Sequence, residues 1–269
     1  MSWITARRRH PAAGYVVVAF VLVLIGVGYA VVTSSGNASA SSPAAANAAQ
    51  IVHGRNLFEA TCATCHGDFA QGEQNIAPSL IGVGAAAVDF QMSTGRMPAA
   101  EASAENDRKP VRFTTAQTHA IAAYIQSLGG GPPIPSAAQV SSAGANLGLG
   151  QQLFVANCAA CHNFEGAGGA LTNGKYAPSL VQSTPTQIYE AMLTGPEAMP
   201  VFNDLTVTPQ EKRDIIAYVT TVRSEANPGG FSLGRVGPVT EGLVAFLGLL
   251  LFMVLAALWI TAKHRKAHE

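Results

Sequence analysis

The sequence predicts an all-α fold in which two small helical domains stand in tandem, flanked by an N-terminal and a C-terminal transmembrane helix. Three observations predict it. A five-residue cysteine motif occurs twice, at residues 62–66 and 158–162, with matching residues around each copy. Downstream of each copy, apolar residues recur at helical spacing, as Ile121, Tyr124, Ile125 and Leu128 and again as Ile215, Tyr218, Val219 and Val222. Two uncharged, mostly apolar stretches, residues 14–32 and 243–262, are each long enough to cross a bilayer as a helix. A repeat on this scale calls for two units rather than one larger core.

The amino terminus carries Arg7, Arg8 and Arg9 ahead of the first apolar stretch, so residues 1–32 read as a basic cytoplasmic tail and a membrane span. A cleaved signal peptide ending near Ala38-Ser39-Ala40 is the alternative. The apolar run exceeds the usual length of such a signal and the Ala-x-Ala lies several residues beyond it, which favours a retained anchor. Residues 33–47, made of Ser, Ala, Asn and Gly with one Pro, read as a flexible tether.

The first helical domain occupies residues 48–128. Phe58 lies four residues before Cys62, on the same helical face. The motif itself is Cys62-Ala63-Thr64-Cys65-His66, and its second copy is Cys158-Ala159-Ala160-Cys161-His162. Two thiols spaced about one helical turn apart, followed directly by His, form the attachment signature of c-type haem: the thiols bond the porphyrin vinyls and the His ligates iron. A structural zinc site or a redox disulfide would use the same Cys-x-x-Cys spacing, but neither needs the His, nor the Met-Pro found downstream of each copy. The two motifs use all four cysteines.

The repeat continues through Ala77-Pro78-Ser79-Leu80 and Ala177-Pro178-Ser179-Leu180, where the offset between copies has grown from 96 to 100. A carbonyl from such a Pro can receive the His ring N–H and fix its tautomer; a plain turn Pro is the alternative. Short helices ending at Gly95 and Gly195 come next, each containing a Met, Met92 and Met192. A second Met lies in the loop beyond, as Met97-Pro98 and Met199-Pro200. A Met inside a helix more often fills a core gap, so Met97 and Met199 are the candidates for the sixth iron position. The last helix of each domain announces its start with a capping box, Thr114 with Gln117 and Thr208-Pro209 with Glu211.

Residues 129–144 form a Gly/Pro linker and residues 145–226 the second domain, and a connector, 227–238, returns the chain to its second span, 239–262. The basic tail 263–269 and Trp259 place that span's end at a cytoplasmic interface. Between the spans, residues 33–238 hold ten Lys and Arg against fourteen Asp and Glu, a net of −4, whereas both tails are basic. This distribution predicts two passes through the cell membrane with both termini cytoplasmic and the haem domains outside, where c-type haem is attached. The balanced overall charge argues against nucleic acid as a partner. The sequence holds no Gly-rich nucleotide loop and no nucleophile motif, and His10, His53, His119, His264 and His268 show no ligand spacing.

Haem iron held by His on one side and Met on the other has no open position, so it carries an electron and activates no substrate. The whole pattern of basic tail, span, tether, two haem units and a second span resembles the dihaem cytochrome c subunits of the actinobacterial cytochrome bcc (menaquinol:cytochrome c reductase) complex. That resemblance implies two tandem class I cytochrome c domains with two covalently bound haem c groups, attached at Cys62 and Cys65 and at Cys158 and Cys161. It implies iron ligands His66 and Met97 in one domain and His162 and Met199 in the other. It implies partnership with a cytochrome b subunit, a Rieske iron–sulfur subunit and the copper-centre subunit of a haem-copper cytochrome c oxidase, in contact with membrane lipid. The chain would then be the electron-transfer subunit of a quinol–cytochrome c oxidoreductase, a translocase, with no quinol site of its own. A cytochrome c subunit of another dehydrogenase or oxidase, or a free-standing membrane-anchored carrier, are the alternatives.

Overall fold

A computed structural model describes residues 13–34, 43–103, 105–225 and 232–266. The expected N-terminal basic cluster, most of the tether and residues 226–231 of the domain end and connector lie outside these residues, as do the last three residues of the tail. The chain divides into two units, residues 1–49 and 50–269.

In the first unit, helix α1 spans Ala13–Ser34 without a charged residue. Helix α2, Pro43–Thr61, begins earlier than the composition predicts: residues 43–47, read as tether, are its first turns. The reason is local, because Pro is pre-organised at the first helical position and the following Ala-rich run has the highest helix propensity.

In the second unit the repeat becomes two similar helical bundles. The first contains the end of α2, a single turn α3 at Ala63–His66, α4 at Ala85–Ser93 and α5 at Thr115–Ser127. The second contains α6 at Leu147–Asn157, the turn α7 at Ala159–His162, α8 at Pro185–Thr194 and α9 at Pro209–Ser224. Both capping boxes form as the spacing predicts, and α8 has a third, Thr184 with Gln187. The expected Gly C-cap holds for α8 at Gly195. Helix α4 instead ends one residue earlier on Thr94, whose hydroxyl bonds back to the Phe90 carbonyl at 2.6 Å, and Gly95 follows with positive φ.

The first and last helices of each bundle cross at a glycine. A Cβ on Gly54 would lie 1.9 Å from the Ala120 carbonyl oxygen, and one on Gly150 would lie 2.0 Å from that of Asp214. Only a residue without a side chain lets the backbones approach this closely. One turn further along the same face, Phe58 meets Tyr124 and Phe154 meets Tyr218, both with ring centroids 5.4 Å apart and tilted. Phe58 and Phe154 are fully buried, and each contributes about 2–3 kcal/mol by leaving water. The apolar stripes therefore do pack on the first helix of each domain.

A short antiparallel ribbon, β1 (Gly169–Ala170) with β2 (Tyr176–Ala177), is found in the second bundle. The first bundle has a lone bridge, Glu73 with Ala77, in its place. This insertion accounts for the step in offset from 96 to 100. The carbonyl reached by the motif His lies 12 residues on in the first bundle and 16 in the second.

The two bundles are packed together through α4 and α8. The buried Gln187 side chain donates to the Ser93 carbonyl and hydroxyl oxygens at 3.2 and 3.1 Å, and accepts from Arg108 Nη2 at 3.0 Å. The loop between α4 and α5 adds further contacts to the second bundle, with Tyr176 Oη donating to Asp107 at 2.5 Å and Asn106 N–H donating to Glu197 at 2.8 Å. From Met97 to Thr114 that loop is 17 residues, against 9 from Met199 to Thr208 in the second bundle, and its extra length reaches across.

Helix α10, Pro238–Lys266, closes the chain. Within its residues 238–262, an 18-residue window has a mean hydropathy of 2.8 and none of that window is buried. Twenty-five residues at helical rise reach about 37 Å, enough for a bilayer core. Among the described residues it is the one helix long and apolar enough to cross a membrane. Its root is held to the second bundle by Arg235, which pairs with Glu165 at 2.7 Å and donates to the Val222 carbonyl at 2.8 Å.

Candidate haem site

Each cysteine motif opens as its long helix ends. The Cys62 N–H still donates to the Phe58 carbonyl at 2.7 Å, and the Cys158 N–H to that of Phe154 at 2.8 Å. A fresh helical turn then carries the second cysteine and the His. The residue after each His has positive φ, Gly67 at 77° and Asn163 at 60°, and turns the chain away. Gly and Asn are the residues that adopt this conformation most readily.

In both bundles the His ring is oriented by the expected proline carbonyl. His66 Nδ1 lies 2.8 Å from the Pro78 oxygen and His162 Nδ1 lies 2.9 Å from that of Pro178. A carbonyl oxygen only accepts, so Nδ1 carries the proton and Nε2 keeps its lone pair for a metal. Burial holds His162 below the ordinary imidazole range and so favours the neutral ligand form, while its bond to Pro178 opposes that shift.

Cys62 and Cys158 are half-buried against the cores, whereas Cys65 and Cys161 are exposed, and all four are free. Burial, then the neighbouring cysteine, pushes the Cys62 thiol up to about 11 and the Cys158 thiol up to about 12. A structural zinc needs three or four such ligands together, and no cluster of three or more His, Cys, Asp or Glu forms among the described residues.

The two methionines of each domain separate as the sequence analysis anticipates. Met92 and Met192 lie within α4 and α8 and are buried in the cores. Met97 and Met199 lie in the loops that follow and pack against the same cores while still partly exposed. The Met97 N–H bonds to the Gln91 carbonyl and the Met199 N–H to the Pro196 carbonyl, both at 3.0 Å, which positions each loop.

In the second bundle these groups surround one cleft. Cys158, Cys161 and His162 line it together with Met199, and Phe154, Leu180, Ile188, Phe202, Ile215 and Val219 supply apolar wall. Two thiols, an imidazole with a free Nε2, a thioether and apolar walls are the donor set and surroundings that fit a haem c. Four further wall residues come from the first bundle: Phe90, Arg96, Glu105 and Arg108. The sequence analysis missed them. The signal for their involvement was the longer loop after Met97, together with a cation directly before that Met.

Comparison with known proteins agrees with this geometry. The family described as "Cytochrome c" matches residues 51–129, and that described as "Cytochrome C oxidase, cbb3-type, subunit III" matches residues 145–219. Cytochrome c domains of this kind carry covalently bound haem c. Three relatives bear the description "Cytochrome bc1 complex cytochrome c subunit". One from Corynebacterium diphtheriae is 42% identical over 276 residues, covering 97% of this chain and 98% of the relative. One from Mycobacterium leprae is 50% identical over 215 residues, 78% of this chain and 74% of the relative. One from Mycobacterium tuberculosis is 43% identical over 262 residues, 96% and 93%. The similarity takes in both helical bundles and nearly all of the chain. A chain alike over that extent, with a c-type haem motif in each bundle and an apolar helix at its end, belongs to the family of cytochrome c subunits of the cytochrome bc1 complex.

Proposed function

We propose that this chain is the dihaem cytochrome c subunit of a menaquinol:cytochrome c reductase, relaying single electrons from a Rieske iron–sulfur centre to the copper centre of a haem-copper cytochrome c oxidase. Cys62 and Cys65 attach one haem c and Cys158 and Cys161 the other, with His66 and Met97, and His162 and Met199, as the respective iron ligands. A haem held by these ligands supplies a one-electron couple with no open coordination position. The observation that carries the reading is the recurrence, in both bundles, of the motif, the His Nδ1–H bond to a proline carbonyl and the loop Met.

The residues around each site hold and orient. The proline carbonyl stops the imidazole from rotating, so Nε2 stays aimed into the cleft. The Phe154 and Ile188 walls exclude water, which keeps reorganisation small when the charge changes. Gln187 and the loop after Met97 hold the two bundles in one arrangement, which fixes the separation that an electron must cross.

The chain would cross the cell membrane twice, through α1 and α10, with both termini cytoplasmic and residues 33–238 outside. The two spans would dock against helices of cytochrome b or the oxidase, and quinol oxidation would belong to those partners. The match of residues 145–219 to a cbb3-type oxidase subunit favours a second reading, a cytochrome c subunit of another oxidase. Native mass spectrometry of the complex, solubilised mildly and purified through a tag on this chain, separates the two. Two covalent haems with cytochrome b, Rieske and oxidase subunits are expected. Two haems without partners would move the assignment to a free carrier, and different partners would move it to the other relay.

A further inference from the structure

Arg96 is 4% exposed, and its Nε and Nη1 have no hydrogen-bond partner. Its ion-pair neighbour, Glu197 Oε1, lies 3.6 Å from Nε, beyond hydrogen-bond reach, and already accepts from the Asn106 N–H. The Phe90 ring, 5.1 Å from the guanidinium carbon, offers a cation–π contact that does not replace those bonds. Arg108 stands in the same wall with Nη2 on Gln187, and burial followed by the nearby Arg96 charge lowers its pKa. Glu105 is in that wall too. Its Oε2 accepts from the Tyr176 N–H at 3.3 Å while its Oε1 has no donor, so these carboxylates and guanidiniums do not satisfy one another.

Two guanidiniums at the edge of one cleft, one of them buried with two donors unmade, call for an anion. The group that fits the cleft carries one. A haem fixed by its vinyl carbons to Cys158 and Cys161 has its two propionates on the other half of the ring, turned away from those cysteines. Among the described residues, no Lys or Arg of the second bundle lines this cleft; its two arginines both come from the first. We propose that Arg96, assisted by Arg108, binds the propionate carboxylates of the haem that the second domain attaches, so that the first domain completes the second domain's site. Arg96 directly precedes Met97. One loop therefore serves both centres, reaching one iron with a thioether and the other porphyrin with a guanidinium.

This inference rests on the reading that Cys158 and Cys161 attach a haem, and the intact mass of the parent chain tests that first. A mass one haem short, with the loss mapped to residues 158–161, would remove that reading. The inference itself is tested in the complete chain within its purified complex, with Arg96→Gln, Arg96→Lys and Arg108→Gln. Redox titration follows each haem couple, and the second domain's couple is assigned by its shift in Met199→His. Resonance Raman spectroscopy follows the propionate bending mode. Arg96→Gln is expected to shift that mode and to lower the second domain's potential, leaving about tenfold less of it reduced at a fixed ambient potential, as loss of a nearby unit charge in a partly buried site requires. The first domain's couple should hold its place. Arg96→Lys should keep most of the potential yet still shift the mode, because the charge stays and the fork is lost. Arg108→Gln should act in the same direction more weakly. If Arg96→Gln does not accumulate, the other two variants decide. An unmoved propionate mode in variants that retain both haems would overturn the assignment, as would a shift confined to the first domain's haem.

Discussion

Glu190→Gln should stabilise the protein at neutral pH and remove part of its pH dependence. Glu190 lies on α8 with no exposed surface, and neither carboxylate oxygen has a hydrogen-bond partner. Burial, and then the charge of Asp89 on the facing α4, pushes its carboxyl up to about 10 from an ordinary 4.5. His119 on α5 completes the cluster, with Nε2 at 3.4 Å from Asp89 Oδ1. Between those two values the folded chain keeps a proton that the unfolded chain has lost. Stability from this group is full below the unfolded value and falls as pH rises toward the folded one, by about 1.4 kcal/mol per pH unit. From about pH 5.5 to about pH 7.5 the loss is about 3 kcal/mol, and it depends only on the folded value lying above that window. For the two packed bundles unfolding as one unit it corresponds to roughly 6–12 °C in melting temperature. The amide introduced by the substitution has no proton to lose and can donate to Asp89. Thermal unfolding of haem-loaded parent and variant, followed by circular dichroism across this window, should show the parent falling and the variant nearly flat. Equal slopes, or a variant that melts below the parent at about pH 7.5, would refute the reasoning.

Other substitutions probe the repeat and the ligands. Gly54→Ala and Gly150→Ala each drive a methyl into a backbone carbonyl of the crossing helix, and each should cost about 1–3 kcal/mol or more in thermal unfolding. Phe58→Ala and Phe154→Ala each empty the centre of one bundle, and should cost about 3–5 kcal/mol and lower the yield of haem-loaded protein. Met97→Ala and Met199→Ala should each leave haem attached and abolish the near-infrared sulfur-to-iron charge-transfer band of one domain. Loss of that band in Met92→Ala, with Met97→Ala unaffected, would reassign the first domain's ligand.

The motifs, the paired Phe and Tyr, the capping boxes and the two classes of Met were readable in the sequence because each depends on residues within a few turns of one another. Helix periodicity puts Phe58 and Cys62 on one face in any surroundings, and a Thr with Gln three residues later caps its own helix at Thr114 wherever that helix lies. Even the ribbon of the second bundle leaves a trace, as the step in offset. The start of α2 was misread because Ser, Ala and Asn are common to tethers and helices, and the Pro that opens the helix resembles a linker residue. The relation between the bundles left only the longer loop after Met97, with Arg96 before it, as a trace. Gln187 finds Ser93 at a separation of 94 residues and Glu197 finds Asn106 at 91, and no periodicity links residues so far apart. What brings them together is the fit of one packed surface to another, which also buries Glu190 beside Asp89 and carries Arg96 into its neighbour's cleft. Local rules act along the chain, whereas burial and electrostatic pairing act through space. The haem motifs are therefore legible residue by residue, while the wall that one domain lends to the other emerges only when the helices pack.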